Sequence, residues 1–230
     1  MFENAKPYFL IIDEINRGNI SKIFGELITL LEKDKRLGND NEIITFLPYS
    51  SKPFGIPSNL YIIGTMNTAD RSITNLDIAL RRRFGFIQVL PNSKRIKKPL
   101  SDSNINLRFL LDELNKRIEL ILDKDHLIGH SYFMGLENKN LSFLKDRWFN
   151  EIIPLLQEYF YNDWKKLGFV IGKGFIIKNT YDNVLEDESF IYEIKKYDDE
   201  NNNDFEKNIK KIIDNPKNLK SDKEKGVNND

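Results

Sequence analysis

The sequence predicts an α/β fold in which a parallel sheet with helices precedes a helical domain and a small β appendage. Three observations predict it. Tyr8-Phe9-Leu10-Ile11-Ile12 and Leu60-Tyr61-Ile62-Ile63-Gly64-Thr65 are unbroken apolar runs of strand length, the pattern of strands buried on both faces. Around and after them, apolar residues recur at spacings of three and four, the period of helices packed on one side. From Phe169 onward the pattern changes to short apolar triplets separated by polar and glycine-rich turns.

Composition narrows the function classes. The 230 residues suit one domain or two small ones. A formal charge of zero gives no global field that would draw the chain to nucleic acid or a membrane surface. The absence of cysteine excludes disulfides and thiolate metal sites, and two histidines argue against structural zinc. No secretory signal pattern or membrane-length apolar segment is present, so the cytoplasm is the expected location and no membrane partner is expected.

The first apolar run ends in Asp13-Glu14. Two adjacent carboxylates at a buried strand's end need water, a cation or a hydrogen-bond partner. In open α/β sheets such ends are where ligands bind. Side chains alternate along a strand, so one acid can hold a Mg²⁺ shell while the other orients a water. The plain alternative is a loop start with two solvated acids. Asn16-Arg17-Gly18-Asn19 reads as a turn, with Asn19 or Ser21 as N-cap of a helix that carries Ile20, Ile23, Phe24, Leu27, Ile28, Leu30 and Leu31 and ends near Lys35. Residues 37–58 read as loop and hairpin, with a strand at Ile43-Ile44-Thr45-Phe46 and breaks at Pro48, Pro53, Gly55 and Pro57.

The second apolar run leads into Met66-Asn67-Thr68-Ala69-Asp70-Arg71-Ser72. Asn67 at this tip can hydrogen-bond a water or phosphate without adding charge; equally, Asn67 and Asp70 can simply stabilise a turn. Thr74 and Asp77 form a capping box for a short helix with Leu76, Ala79 and Leu80 on its inner face. Its end, Arg81-Arg82-Arg83, suits a helix C-terminus for dipole reasons alone. Successive residues there fan out by about 100°, so the three cannot all serve one purpose. Phe84 to Val89 reads as a third strand.

Pro91 to Ser103 is polar and basic, a hinge composition. Leu107, Leu110, Leu111, Leu114, Ile118, Ile121 and Leu122 then mark a helix. His130 stands in a turn-like Gly129-His130-Ser131, where a packed or surface histidine is favoured over one near a ligand. Trp148, Ile152, Leu155, Leu156, Tyr159 and Phe160 mark a further helix, interrupted or kinked at Pro154, whose aromatics belong to a core. Phe169-Val170-Ile171 and Phe175-Ile176-Ile177 read as strands around a Gly172-Lys173-Gly174 hairpin turn, with Phe190-Ile191-Tyr192 a third. Beyond Asp198 the chain is too polar to offset its ordering entropy and reads as disordered, with room for a short helix around Phe205 to Ile213.

Ile11-Ile12-Asp13-Glu14-Ile15-Asn16-Arg17, Met66-Asn67-Thr68-Ala69-Asp70-Arg71-Ser72 and Ala79-Leu80-Arg81-Arg82-Arg83-Phe84, in this order, resemble the AAA+ motor of the McrB family. This is the GTP-using subunit of McrBC-type modification-dependent restriction systems. Gly129-His130-Ser131-Tyr132-Phe133 resembles that family's lid region, so the resemblance covers roughly residues 8–165. It implies a partial AAA+ P-loop core over residues 1–90, a hinge over 91–104, an α-helical lid over 105–167, a β appendage over 168–197 and a polar tail over 198–230. It implies Asp13 as the Walker B ligand of Mg²⁺ bound with GTP or ATP, Glu14 as activator of the attacking water and Asn67 as sensor I. Arg82 and Arg83 become the likeliest fingers toward a neighbouring subunit's nucleotide, and Asp70 and Arg71 fall in the family's signature loop. The implied partners are further copies in a ring, hexameric in the family, a McrC-like nuclease, and DNA held through an N-terminal domain.

One departure bears on activity. G-x-x-x-x-G-K-[ST], whose amides and Lys cradle phosphates, occurs nowhere in the chain, and seven residues precede Tyr8. Gly172-Lys173-Gly174 lacks the following Ser or Thr. The sequence therefore reads as the C-terminal part of such a motor, with an inactive remnant or oligomerisation module as the alternative. Asn67-Thr68-Ala69-Asp70 is superficially like the guanine-reading N-K-x-D motif and does not establish GTP over ATP.

Overall fold

A computed structural model describes residues 6–69, 78–97, 100–136, 138–161, 163–185, 187–197 and 202–215. The chain divides into two compact units between residues 88 and 89.

In the first unit, strand β1 (Tyr8–Ile12) leads through a 3-10 turn at Ile15–Arg17 to helix α1 (Ile20–Phe24). Asn19 caps α1, its side chain accepting from the Lys22 amide at 3.0 Å. The single long helix expected here does not form. Gly25 takes φ 50°, a conformation that ends the α-helix, and the apolar stripe continues as 3-10 turns over Gly25–Leu31 and Lys33–Lys35. Of the strand expected at 43–46, Thr45–Phe46 (β2) pairs antiparallel with Pro53–Phe54 (β3). Strand β4 (Leu60–Gly64) lies parallel to β1, in register from Tyr8 opposite Leu60 to Ile12 opposite Gly64. Arg36 donates to the carbonyls of Leu60 and, at 3.2 Å, Leu31, tying the start of β4 to the helical layer. Helix α2 (Ile78–Arg81) is the described part of the arginine-ended helix, and the Thr74–Asp77 capping box lies outside the described residues.

This unit's core is Ile15, Ile20, Leu30, Leu31, Ile56 and Leu80, with Ile12, Leu60 and Ile62 packed on it. Period-two alternation puts those three on one face of the sheet. The other face, Phe9, Ile11, Tyr61 and Ile63, is exposed. The expectation of strands buried on both faces is thus met only in part: Ile12, Leu60 and Ile62 pack on the helical layer, Tyr8 and Leu10 on the same face are exposed, and no described element covers the other face. Phe84 to Val89 is not a strand either. Phe84 packs on the core, whereas Phe86, Ile87 and Val89 are exposed without a pairing strand among the described residues.

In the second unit, α3 (Leu107–Ile121) forms as its spacing predicts, with the Asn106 side chain accepting from the Arg108 and Phe109 amides. Helix α4 (Leu141–Arg147) runs through a π-helical turn at Trp148–Ile152 into α5 (Ile153–Phe160). The wide turn is what the expected interruption at Pro154 becomes. Proline has no N–H to continue the ladder, and the Ile153 amide just before it bonds the Trp148 carbonyl, five residues back.

Helix α6 (Trp164–Ile171) replaces the expected strand at 169–171. Gly172, at φ 90°, ends α6, and Lys173–Phe175 is a 3-10 turn, not a hairpin turn. The hairpin is instead β5 (Ile176–Leu185) with β6 (Asp187–Ile194), which contains the predicted Phe190–Tyr192. In the polar stretch beyond 198 the short helix foreseen around Phe205 to Ile213 forms, longer than expected, as α7 (Asn202–Asp214), which buries Phe205, Ile209 and Ile212. These join Leu110, Leu114, Trp148, Leu156, Val170 and Phe175 in one core, and Ile96 and Leu100 from the stretch read as hinge are part of it. Among the described residues no helix is long and apolar enough to cross a membrane.

Candidate functional site

The parallel pairing brings the C-terminal ends of β1 and β4 side by side. Two backbone bonds extend the ladder past the strands, from the Thr65 amide to the Ile12 carbonyl (3.0 Å) and from the Ile15 amide to the Thr65 carbonyl (2.9 Å). Thr65 is thereby fixed between the two acids. Its hydroxyl donates to Asp13 Oδ1 and accepts from the Glu14 amide at 3.2 Å. Glu14 adopts a left-handed conformation, φ 50° and ψ 48°, rare for a residue with a Cβ. That turn takes the backbone at Glu14 out of the strand conformation. Glu14 is ion-paired with Arg17, both about half exposed.

Asn67 continues the same edge. The Asn16 side-chain amide donates to the Asn67 carbonyl at 3.1 Å, joining the two loops. The Asn67 side-chain oxygen accepts from the Ala69 amide at 3.1 Å, the turn-stabilising role foreseen for it. Asp13, Glu14, Thr65 and Asn67 therefore sit together at one edge of the sheet. Thr65 is the residue that sequence reading missed; its signal was a hydroxyl at the last position of the second apolar run.

Among the described residues no three His, Cys, Asp or Glu side chains gather closely enough to form a metal site. Asp13 is a single carboxylate steadied by a hydroxyl. This donor set fits Mg²⁺, which keeps waters and takes one or two carboxylates together with substrate phosphates, and it does not fit an all-protein cage.

The three arginines have different surroundings, Arg81 ending α2 and Arg82 and Arg83 lying in the turn that follows. Arg81 lies 6.0 Å from the centre of the Phe86 ring, Arg82 is exposed, and Arg83 reaches Glu32 at 2.8 Å with its side chain 12% exposed. Asp70 and Arg71 lie outside the described residues. His130 belongs to the second unit, where its Nδ1 accepts from the Asn92 amide at 3.3 Å; it is partly buried.

Two family models match the chain: an AAA domain of the dynein-related subfamily over residues 3–84 and the alpha-helical lid domain of McrB over residues 106–168. The chain is 43% identical over 175 residues to the type IV methyl-directed restriction enzyme EcoKMcrB subunit of Escherichia coli K12, covering 69% of this chain and 38% of that protein. It is 28% identical over 161 residues to the type II restriction enzyme BsuMI component YdiS of Bacillus subtilis 168, covering 61% and 46%. The chain thus spans less than half the length of these curated relatives. An acid pair and an asparagine on the tips of parallel strands, an arginine-ended helix and a matching helical lid together place the chain in the McrB family of AAA+ proteins.

Proposed function

We propose that this chain supplies the Walker B, sensor and lid part of a Mg²⁺-dependent nucleoside triphosphatase, GTP- or ATP-using, in the motor of a DNA restriction system. The observation that carries the reading is the Thr65 hydroxyl bound to both the Asp13 carboxylate and the Glu14 amide, which ties the end of β4 to both acid positions at the tips of a parallel sheet. Asp13 is the residue that would hold Mg²⁺. The ion would neutralise phosphate charge when bound.

The remaining roles follow from the placement of the chain's own groups. Glu14, at the left-handed turn that follows Asp13, orients a water and takes its proton. Asn67 steadies the adjoining loop and presents a neutral polar group beside it, with Asp70 and Arg71 following in the same loop. Arg82, or Arg83 once released from Glu32, faces a neighbouring copy. The ring, hexameric in related motors, the McrC-like nuclease and DNA binding through another domain are part of this proposal, supported by the two restriction-enzyme relatives.

The test is hydrolysis by this chain complemented with a P-loop-bearing half. Glu14→Gln and Asp13→Asn should each lower turnover by about 10²-fold or more. Unchanged turnover in both variants would overturn the assignment.

A further inference from the structure

Residues 91–101 hold Lys94, Arg95, Lys97 and Lys98 and no acid, in a chain whose charges balance overall. A run of cations is ordinarily a solvated loop. This one is pinned within the second unit, because Ile96, Leu100 and Ile105 are buried in its core at 1%, 4% and 0% exposure. Side-chain bonds fix the backbone around Ile96. The Asn92 side chain accepts from the Lys94 amide at 3.1 Å and shapes the 3-10 turn Ser93–Arg95. The Ser93 hydroxyl donates to Asp112 at 3.0 Å, and Arg108 Nε, from the first turn of α3, donates to the Ile96 carbonyl at 2.6 Å. The cationic ends are thus presented from a fixed backbone, with less ordering entropy to lose on binding.

The acids nearby are already engaged. Asp112 accepts from Ser93, Asp102 accepts from the Leu141 amide at 2.8 Å, and Glu206 is ion-paired with Lys210 at 2.7 Å. Among the described residues, Lys94 and Arg95 make no side-chain hydrogen bond or ion pair, and the terminal nitrogens of Arg108 make none either. These three cations and Lys97 are exposed. Lys97 and Arg108 border a cleft of about 740 Å³, together with the neutral groups of Ser101, Ser103 and Asn104 and with Glu206 of α7. We propose that this loop and cleft bind the sugar-phosphate backbone of DNA without reading its sequence, a contact additional to DNA held through another domain. A guanidinium with both terminal nitrogens unspent matches the oxygens of a phosphate, and hydroxyl and amide groups beside cations suit phosphate and sugar oxygens. Lys94 and Arg95 lie outside the cleft and Lys97 and Arg108 on it, so the charges do not converge on one small anion. A polymer of phosphates meets them in succession. The choice of DNA over another polyanion rests on the function proposed above.

The probe is a short fluorescent DNA duplex of mixed sequence, titrated with the full 230-residue chain at several salt concentrations and without nucleotide. Anisotropy should report binding whose log affinity falls against log salt with a slope of about −3, and a duplex of unrelated sequence should bind equally. Lys94→Ala with Arg95→Ala should lower affinity about tenfold or more at low salt and reduce the slope by about 2. Both side chains are exposed and unbonded among the described residues, so the unfolding midpoint of the double variant should match the parent's. Lys165→Ala, exposed on α6, should change neither affinity nor slope. Absence of binding at low salt, or affinity and slope untouched by the double variant, overturns the proposal. So does a polyglutamate peptide that binds as tightly as the duplex and is equally sensitive to the double variant, which would make this a surface for acidic protein. None of these readouts needs turnover. If the duplex binds through Lys94 and Arg95 while Glu14→Gln and Asp13→Asn leave the complemented motor unchanged, the proposed function falls and this surface stands.

Discussion

Arg117 donates to the Ile212 carbonyl at 2.9 Å, across 95 residues of sequence. The same guanidinium reaches the Asn215, Phe169 and Val170 carbonyls at 3.0 to 3.3 Å and is ion-paired with Glu113 at 2.8 Å. Both side chains are buried, at 4% and 7% exposure. One cation on α3 therefore satisfies the otherwise unbonded carbonyls at the ends of α6 and α7, where helix dipoles are negative. It secures the C-terminal helix to the lid.

Replacing Arg117 with Met should destabilise the second unit by about 3–5 kcal/mol, since it removes one side of a buried ion pair and the shared donor to two helix ends. Arg117→Met with Glu113→Leu should recover part of that loss. Urea unfolding followed by tryptophan fluorescence is the readout, because Trp148 and Trp164 both lie in this unit. A loss below about 1 kcal/mol would show that α7 is held by its apolar face alone.

The acid limb of stability should carry a signature of Asp123. Its carboxylate accepts from His126 Nδ1 at 2.7 Å and from the amides of Asp125 and His126. The bond to the His126 side chain, foremost, holds its pKa below the usual carboxylate value. A depressed folded-state pKa stabilises above the unfolded value of about 3.9, and the contribution is lost as pH falls through the folded one. Asp123→Asn keeps the cap but not the charge. The variant should be less stable than the parent at pH 6, by a small margin because Asp123 is more than half exposed, and the difference should shrink as pH falls below the carboxylate range. Thermal melts across that range decide it; a constant difference down to pH 2 would contradict the linkage.

Gly172 offers a test of the corrected topology. Its φ of 90° and ψ of 140° belong to a region nearly closed to residues with a Cβ. Gly172→Ala should cost about 1–3 kcal/mol. Lys173→Ala should leave nucleotide affinity of a complemented motor unchanged, since the turn ends a lid helix. Loss of affinity in Lys173→Ala would reopen a phosphate role for Gly172-Lys173-Gly174.

The positions of the polar residues after the two apolar runs were more legible than the surrounding fold, for physical reasons. Asp13, Glu14 and Asn67 could be placed because polar residues directly after apolar strands must meet a partner or water. The burial of β1 and β4 could not, because an apolar run states what should be covered and not whether the cover lies in the same stretch of chain. Phe169-Val170-Ile171 looked like a strand from its bulky run, yet Leu167, Val170 and Ile171 share a helical face capped by Asp163. Helix α7 was foreseen as a short helix around Phe205 to Ile213, but the Asn, Asp and Lys content around it argued for disorder. Its three buried apolar residues, at spacings of four and three, suffice once a core exists to receive them.

The structure separates two arginines that the sequence left equivalent. Arg83 is engaged by Glu32 within its own unit, and Arg82 is exposed. An arginine that stabilises charge on a neighbour's phosphoryl group must be free to reach it, so Arg82 is the expected finger and Arg83 a supporting residue. In a complemented motor, Arg82→Ala should leave stability within about 0.5 kcal/mol of the parent. It should lower turnover by roughly 10³–10⁵, the range seen when such fingers are absent. Arg83→Ala should instead lower stability, with a coupling to Glu32→Gln of about 0.2–1 kcal/mol in a double-mutant cycle. Mixing settles whether the finger acts between copies. Subunits carrying Glu14→Gln combined with subunits carrying Arg82→Ala form some interfaces in which an intact acid meets an intact arginine. Turnover of the mixture should exceed that of either homogeneous variant. If Arg82→Ala alone leaves turnover at the parent level while Arg83→Ala abolishes it, the ion pair with Glu32 is broken in the working assembly and the two roles are exchanged.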